Sequence, residues 1–331
     1  MKKIPLISSE IYGLWSCYIN ETLSKCVFSY FLNRVEDTAT RQLLQETLAL
    51  STQHIPIITN IFNEDGLPVP NGFTDKDVNI NAPRLFTDGF YLAYLSYLAR
   101  VGMHNYTLIL NQITRADIID YFTQRITESI ELYKKAANLR LSKGIFIRAP
   151  RIEVPKEVQY LEDKSFMANL FGDKRSLFAS EITHIFSHIN SNIIGKAMVT
   201  GFGQVSKEKQ VSDYFFQGKD IATQKINELT SIYTKEGIPV PATSDSYVTD
   251  STVSPFSEKL MMTHSFILTN TSVAYSSMAL ADNLRSDLMT LFMKYLAQDK
   301  KYADEGINIM IENRWLEQFP QAVKHENLAK V

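Results

Sequence analysis

Gly66-Leu67-Pro68-Val69-Pro70, followed by Asn71-Gly72-Phe73-Thr74-Asp75-Lys76-Asp77-Val78-Asn79 and Ala82-Pro83-Arg84-Leu85-Phe86, is the stretch that decides the fold. It opens with a helix stop. Gly66 sits where a left-handed C′ residue belongs, Leu67 supplies the apolar C″ contact, and Pro68 forbids continuation. Residues 66–85 then run for about 20 positions with no helical or strand periodicity, against the usual two to eight between bundle helices. Extended, such a segment reaches about 65 Å, whereas a helix of about 26 residues is about 39 Å long. The loop can therefore cross the full length of a helical pair and start the next helix parallel to the one before it.

Working outward, helices are expected over 9–34, 38–64, 86–112 and 115–143. In the last, Phe122, Ile126, Ile130, Tyr133, Ala137 and Leu141 recur at three- and four-residue steps as a stripe for a core. Asp37 can cap the second helix, and Thr114 with Asp117 forms a capping-box-like start for the fourth. Two short connections flanking one long crossover predict a ferritin-like four-helix bundle.

The same pattern occurs twice. Thr52-Gln53-His54-Ile55 recurs as Thr223-Gln224-Lys225-Ile226, and Ser9-Glu10-Ile11 as Ser180-Glu181-Ile182, both at an offset of 171. Gly66-Leu67-Pro68-Val69-Pro70 returns at that offset as Gly237-Ile238-Pro239-Val240-Pro241. One residue drops out in the next loop and the offset becomes 170: Phe86-Thr87-Asp88 matches Phe256-Ser257-Glu258, and Arg115-Ala116-Asp117 matches Arg285-Ser286-Asp287. The expected fold class is all-α, with two tandem ferritin-like bundles, each carrying a long crossover between its second and third helices. The first spans 1–148, a docked connector 149–177, the second bundle 178–320 and a tail 321–331. Phe166-Met167-Ala168-Asn169-Leu170-Phe171 is the apolar segment expected to dock the connector. The bundles are expected to pair about a pseudo-two-fold axis.

Composition narrows the function classes. The 331 residues favour two domains, and 45% hydrophobic content allows each a core. A formal charge of −2 with mixed signs argues against nucleic acid as a partner. No charge-free run of 18 apolar residues is present, so no membrane span is expected, and no apolar segment near Met1 suggests a signal peptide. Cys17 and Cys26, on one helix and on opposite faces, cannot bridge and read as buried thiols in a reducing compartment. The expected location is cytoplasmic or spore-associated.

Asn71-Gly72-Phe73-Thr74-Asp75-Lys76-Asp77-Val78-Asn79 with Ala82-Pro83-Arg84-Leu85-Phe86 resembles an uncharacterised family of endospore-forming bacteria. That family is catalogued as a domain of unknown function and sometimes labelled spore-coat-F-like. Lys196-Ala197, Gly201-Phe202-Gly203-Gln204-Val205, Pro255-Phe256-Ser257-Glu258-Lys259-Leu260-Met261 and Trp315-Leu316-Glu317-Gln318 extend the resemblance over the whole chain. It implies a tandem ferritin-like fold and no particular activity.

Ferritin-like bundles that hold two metals take one Glu from each of two helices and Glu-x-x-His from each of the others. Here Glu181-Ile182-Thr183-His184 is one such pair, and His188 extends its face. Glu181, His184 and His188 are the metal candidates, with iron or manganese the ions they would suit. No second pair follows. Glu258 and His264 lie six apart, Gly13 and Cys17 stand where the first copy would need histidines, and His54 and His104 are isolated. The alternative reading is a polar flank beside Ile182, Ile185, Phe186, Ile189 and Ile193. Asp75, Asp77, Asn79 and Asn81 alternate like calcium ligands, but the turn glycine and closing Glu of an EF-hand are missing. They are expected to cap the third helix and satisfy the backbone of the long loop instead. Tyr91, Tyr94 and Tyr97 read as core packing. The expected function is a non-enzymatic structural or interaction protein, sporulation- or spore-associated, acting through protein partners or self-association. A divergent metal-binding oxidase or storage protein is the alternative.

Overall fold

Helix-stop glycines fall where the repeat places them. A computed structural model describes residues 4–161, 174–241 and 247–323. Among these, eight α-helices form: α1 (Ser8–Arg34), α2 (Thr38–Glu64), α3 (Asp88–Leu110), α4 (Ala116–Ser142), α5 (Ala179–Val205), α6 (Lys209–Lys235), α7 (Glu258–Asp282) and α8 (Ser286–Glu312). Gly66 and Gly237 both stand at φ 67°, and the amides of Leu67 and Ile238 close back on Phe62 (2.9 Å) and Tyr233 (2.8 Å). These are the expected left-handed stops. Asp37 accepts from the Thr40 amide at 2.8 Å and caps α2, as its position suggested.

Two caps come from elsewhere in the chain. The amides of Thr114 and Arg115 bind Glu10 at 3.0 and 2.9 Å, so a distant carboxylate opens α4 in place of the expected Thr114–Asp117 box. Asp88 receives the Glu36 and Asp37 amides before α2. The alternating Asp and Asn side chains satisfy loop backbone as expected but do not cap α3: Asp77 accepts from the Thr74 amide and the Ser257 hydroxyl, and Asn79 from the Asn81 amide.

These contacts also give the helix directions. The end of α1 meets the start of α3, where Phe31 stacks on Tyr91 with centroids 4.3 Å apart. The start of α1 meets the end of α3, where Ser9 bonds the Gln112 carbonyl at 2.7 Å. The start of α2 lies beside Asp88 and its end beside Arg115, which binds Asp65 at 2.8 Å. Helices α2 and α3 therefore run in the same direction, and residues 66–87 traverse the length between them. The second half repeats this, with Glu258 receiving the Lys207 and Glu208 amides and Glu236 binding Arg285.

The two crossovers meet each other. Val78 bridges Phe256 and Phe86 bridges Val248, both antiparallel. At the repeat offset of 170, Val78 corresponds to Val248 and Phe86 to Phe256, so each bridge is the other's mirror across a local two-fold relation. Gly201 allows the approach, since a Cβ there would lie 2.6 Å from the Phe86 ring. Around this crossing, one continuous core takes Phe28, Phe31, Phe90 and Tyr94 from the first half and Met198, Phe202, Phe215 and Met261 from the second. Smaller cores close the far end of each half, around Leu14, Phe62 and Phe122 and around Ile185, Leu229 and Phe292. Each large apolar side chain buried there stabilises by about 1.5–3 kcal/mol.

The α4 stripe holds at Phe122, which is fully buried, and is displaced farther along the helix. Ile130 and Leu141 are 42% and 52% exposed, while Arg125, Ser129, Ala136 and Arg140 are buried. Polar residues occupy the inward face, so reading only apolar positions shifts the stripe by one. Residues 151–161 of the connector are exposed, and its segment Phe166–Phe171 lies outside the described residues.

Candidate functional site

The three metal candidates face three different environments. Glu181 is fully buried and accepts from Arg175 at 2.7 and 2.8 Å, from the Phe178 amide at 2.8 Å and from the Arg285 amide at 3.2 Å. Burial alone would raise its carboxyl, but these hydrogen bonds outweigh burial and hold it below the ordinary value. Its repeat counterpart Glu10 does the same work at α4, so the residue joins the starts of two helices in both halves. His184 pairs with Asp282 at 3.0 Å on the surface. His188 is buried against the Phe292 ring, centroids 4.8 Å apart, with Nε2 unpartnered. Burial, reinforced by the nearby Lys225 charge, pushes it down to about 3 and keeps it neutral. Among the described residues, no group of three or more His, Cys, Asp and Glu is arranged to hold a metal.

Sequence reading missed the principal polar cluster of the first half. Glu21 from α1, His54 from α2, and Arg125 and Glu128 from α4 converge midway along the helices. His54 lies 3.5 Å from Glu21 and 3.3 Å from Glu128, and Arg125 lies 3.6 Å from Glu21 and 2.6 Å from Glu128. Arg125 also contacts the His54 ring. Burial raises Glu21 and Glu128, yet hydrogen bonding to His54 and the Arg125 charge outweigh it and leave both below the usual carboxylate range. Burial lowers His54, but Glu128 and Glu21 outweigh that and raise it. Two carboxylates thus face the Arg125 guanidinium and the His54 imidazole. His54, isolated in sequence, sits at their centre, and the only sequence signal was a charge recurring on helices otherwise lined with apolar residues.

The second half solves the same position differently. Asn192, Lys225, Tyr295 and Gln298 stand where Glu21, His54, Arg125 and Glu128 stand in the first, at offsets of 171 and 170. Lys225 forms a buried ion pair with Asp299, whose other oxygen takes Ser272 at 2.7 Å. The Lys225 ammonium also lies 5.2 Å from the Tyr295 ring centroid. Burial depresses its basicity, and Asp299 only partly opposes that. A cavity of about 70 Å³ beside Asp299 is lined by Ser191, Asn192, Ser272 and Tyr302, with Tyr97 from the first half. Val199, Ile221 and Leu268 also line it.

A dinuclear site requires carboxylates from all four helices and two histidines. At the central level the first half supplies Ser51-x-x-His54 and Arg125-x-x-Glu128, and the second Ala222-x-x-Lys225 and Tyr295-x-x-Gln298. Arg125 and Lys225 place protein cations in these interiors. The residues do not fit a pair of metal ions.

The remaining candidates are structural. His264, pushed down to about 3 by burial, bonds Tyr94 at 2.7 Å across the crossing. Tyr94 and His264 are equivalent positions at the offset of 170, so this pair lies on the local two-fold relation itself. Tyr91 and Tyr97 are also buried. Both cysteines are buried and free, and burial raises their thiols, Cys26 to about 12. No helix is long and apolar enough to cross a membrane among the described residues.

No curated protein matches the chain. The crystal structure of a candidate spore coat protein from Bacillus halodurans C-125 is similar at a TM-score of 0.41 and 19% identity, covering 46% of this chain and 98% of its own. A family described as a protein of unknown function, DUF3231, matches residues 1–158 and again 165–328. The chain belongs to the DUF3231 family and carries two matches to it in succession.

Proposed function

We propose that the protein is a non-enzymatic structural or interaction protein built from two ferritin-like bundles, 1–148 and 178–320, that act through their surfaces. The ferritin-like reading rests on the shared direction of α2 and α3 and of α6 and α7, with a crossover in each half. The observation that carries the functional reading is charge closure: Arg125 and Lys225 compensate the buried carboxylates of their own halves. An added ion would have to displace a protein cation and leave it buried and unpaired, at a cost of about 3–5 kcal/mol. The sporulation setting follows from the sequence resemblance and forms part of the same proposal. Deleting the gene is expected to alter spores or an assembly step while leaving vegetative metabolism unchanged. Metal-dependent turnover by the pure protein would overturn the reading.

A further inference from the structure

The segment after α8 folds back onto the first half. Glu317 receives the amides of Asn71 and Gly72, one on each carboxylate oxygen, at 2.9 Å each. Successive backbone amides converging on one carboxylate form an anion-binding nest. Gly72 makes it possible: φ is 59°, and a Cβ would lie 2.5 Å from the Thr22 hydroxyl. Two residues on, Phe319 packs against Tyr12 and Trp15 with centroids 5.7 and 5.8 Å away. From the other side, Lys259 donates to the Gly72 carbonyl at 2.9 Å. The groove therefore reads a carboxylate and an aromatic ring two residues apart.

This arrangement is not a by-product of the repeat. Ile147-Arg148-Ala149 stands where Glu317-Gln318-Phe319 would be in the first copy, and Thr183 and Phe186 replace Tyr12 and Trp15 in the second. At the corresponding sequence positions the other half carries neither the Glu-x-Phe plug nor the Tyr-x-x-Trp pair. The fold-back also depends on one strained residue. Gly144 turns the corresponding corner after α4 at φ 69°, whereas Arg314 does so after α8 at φ 59°, a region costly for a side chain. The plug is only lightly held, with Phe319 43% exposed and Tyr12 57%.

We propose that the groove formed by α1 and the Asn71–Gly72 turn is a Glu-x-aromatic peptide site, and that the matching tail of a second copy can occupy it in exchange for the chain's own. This rests on the reading of the protein as one that acts through its surfaces, and it supplies a mode of self-association. The short tether gives the intramolecular tail a local concentration of order millimolar, so exchange occurs where copies are crowded or the fold-back is disabled.

The test uses full-length chains. Glu317→Ala with Phe319→Ala frees the groove, and a labelled peptide of residues 313–323 is titrated by fluorescence anisotropy. Saturable binding at least tenfold tighter than to the unaltered chain is expected. The same peptide carrying Glu317→Gln and Phe319→Ala should bind at least tenfold more weakly. Separately, Arg314→Pro fixes φ near −65° and forbids the fold-back. That protein should elute as dimers or larger species by light scattering and return to monomer on excess peptide. No binding by an opened variant that keeps the wild-type circular dichroism and melting would overturn the proposal. Equal binding of the substituted peptide would do the same, as would a monomeric Arg314→Pro protein. None of these readouts depends on metal or turnover, so they fail independently of the functional reading above.

Discussion

At one end of the first half, Glu10 receives the Thr114 and Arg115 amides while Arg115 reaches Asp65 and Asp117. At the same end of the second, Glu181 receives the Arg285 amide while Arg285 reaches Glu236 and Asp287. Midway along the helices this agreement vanishes: Glu21, His54, Arg125 and Glu128 face Asn192, Lys225, Tyr295 and Gln298. Helix ends leave backbone donors that have to be satisfied in one geometry. A buried interior requires only that its charges cancel, and many side-chain sets meet that condition. The halves share the contacts that satisfy their helix ends and differ in the polar residues midway along the helices.

The largest expected effects fall in the two interiors. Arg125→Leu leaves Glu21 and Glu128 with His54 alone, and urea unfolding should show a loss of about 3–5 kcal/mol. Lys225→Met should cost a similar amount by stranding Asp299, whereas Lys225→Met combined with Asp299→Asn should recover most of it. A loss below about 1 kcal/mol for either single variant would break the charge-closure account.

The ends should respond alike. Glu10→Gln and Glu181→Gln are each expected to cost about 1–3 kcal/mol, because each weakens a buried carboxylate that accepts several donors. A large difference between them would show that the shared caps are not equivalent.

Acidity should act on the halves in opposite directions. His188 and His264 are pushed down to about 3 by burial, so below pH 6.5 the unfolded chain takes up protons that the folded chain refuses. Stability should fall by about 1.4 kcal/mol per pH unit for each between pH 6.5 and 5. His188→Leu should flatten that limb. His54 is held above its ordinary value, so its contribution is fully present below pH 6.5 and is lost as pH rises through its folded value. Urea midpoints across this range for His54→Gln should lose the slope on the neutral side. The smallest effect is expected where the halves touch: Tyr94→Phe removes the bond to His264 and should cost about 1 kcal/mol.

Sequence revealed what is local or repeated. Gly66 and Gly237, the 171-residue offset and the long crossovers lie within short windows or appear twice. It concealed what joins distant positions. Glu10 caps a helix 104 residues away, and nothing near Thr114 announces it. The α4 stripe was displaced because Arg125, Ser129 and Arg140 are buried, and polar residues carry no apolar period. Glu181, His184 and His188 share one face in sequence, but one turn separates a buried cap from a surface pair, and another leads into an apolar pocket. The match between Glu10 and Glu181 already hinted at a common structural role, since only the second has histidines beside it.

Inductively coupled plasma analysis of the full-length protein, purified without chelators from iron- and manganese-supplemented cells, tests charge closure most directly. Iron, manganese and zinc far below one equivalent per chain are expected, unchanged by His184→Ala. A stoichiometric iron, manganese or zinc ion bound by the unaltered chain and retained through purification would contradict it.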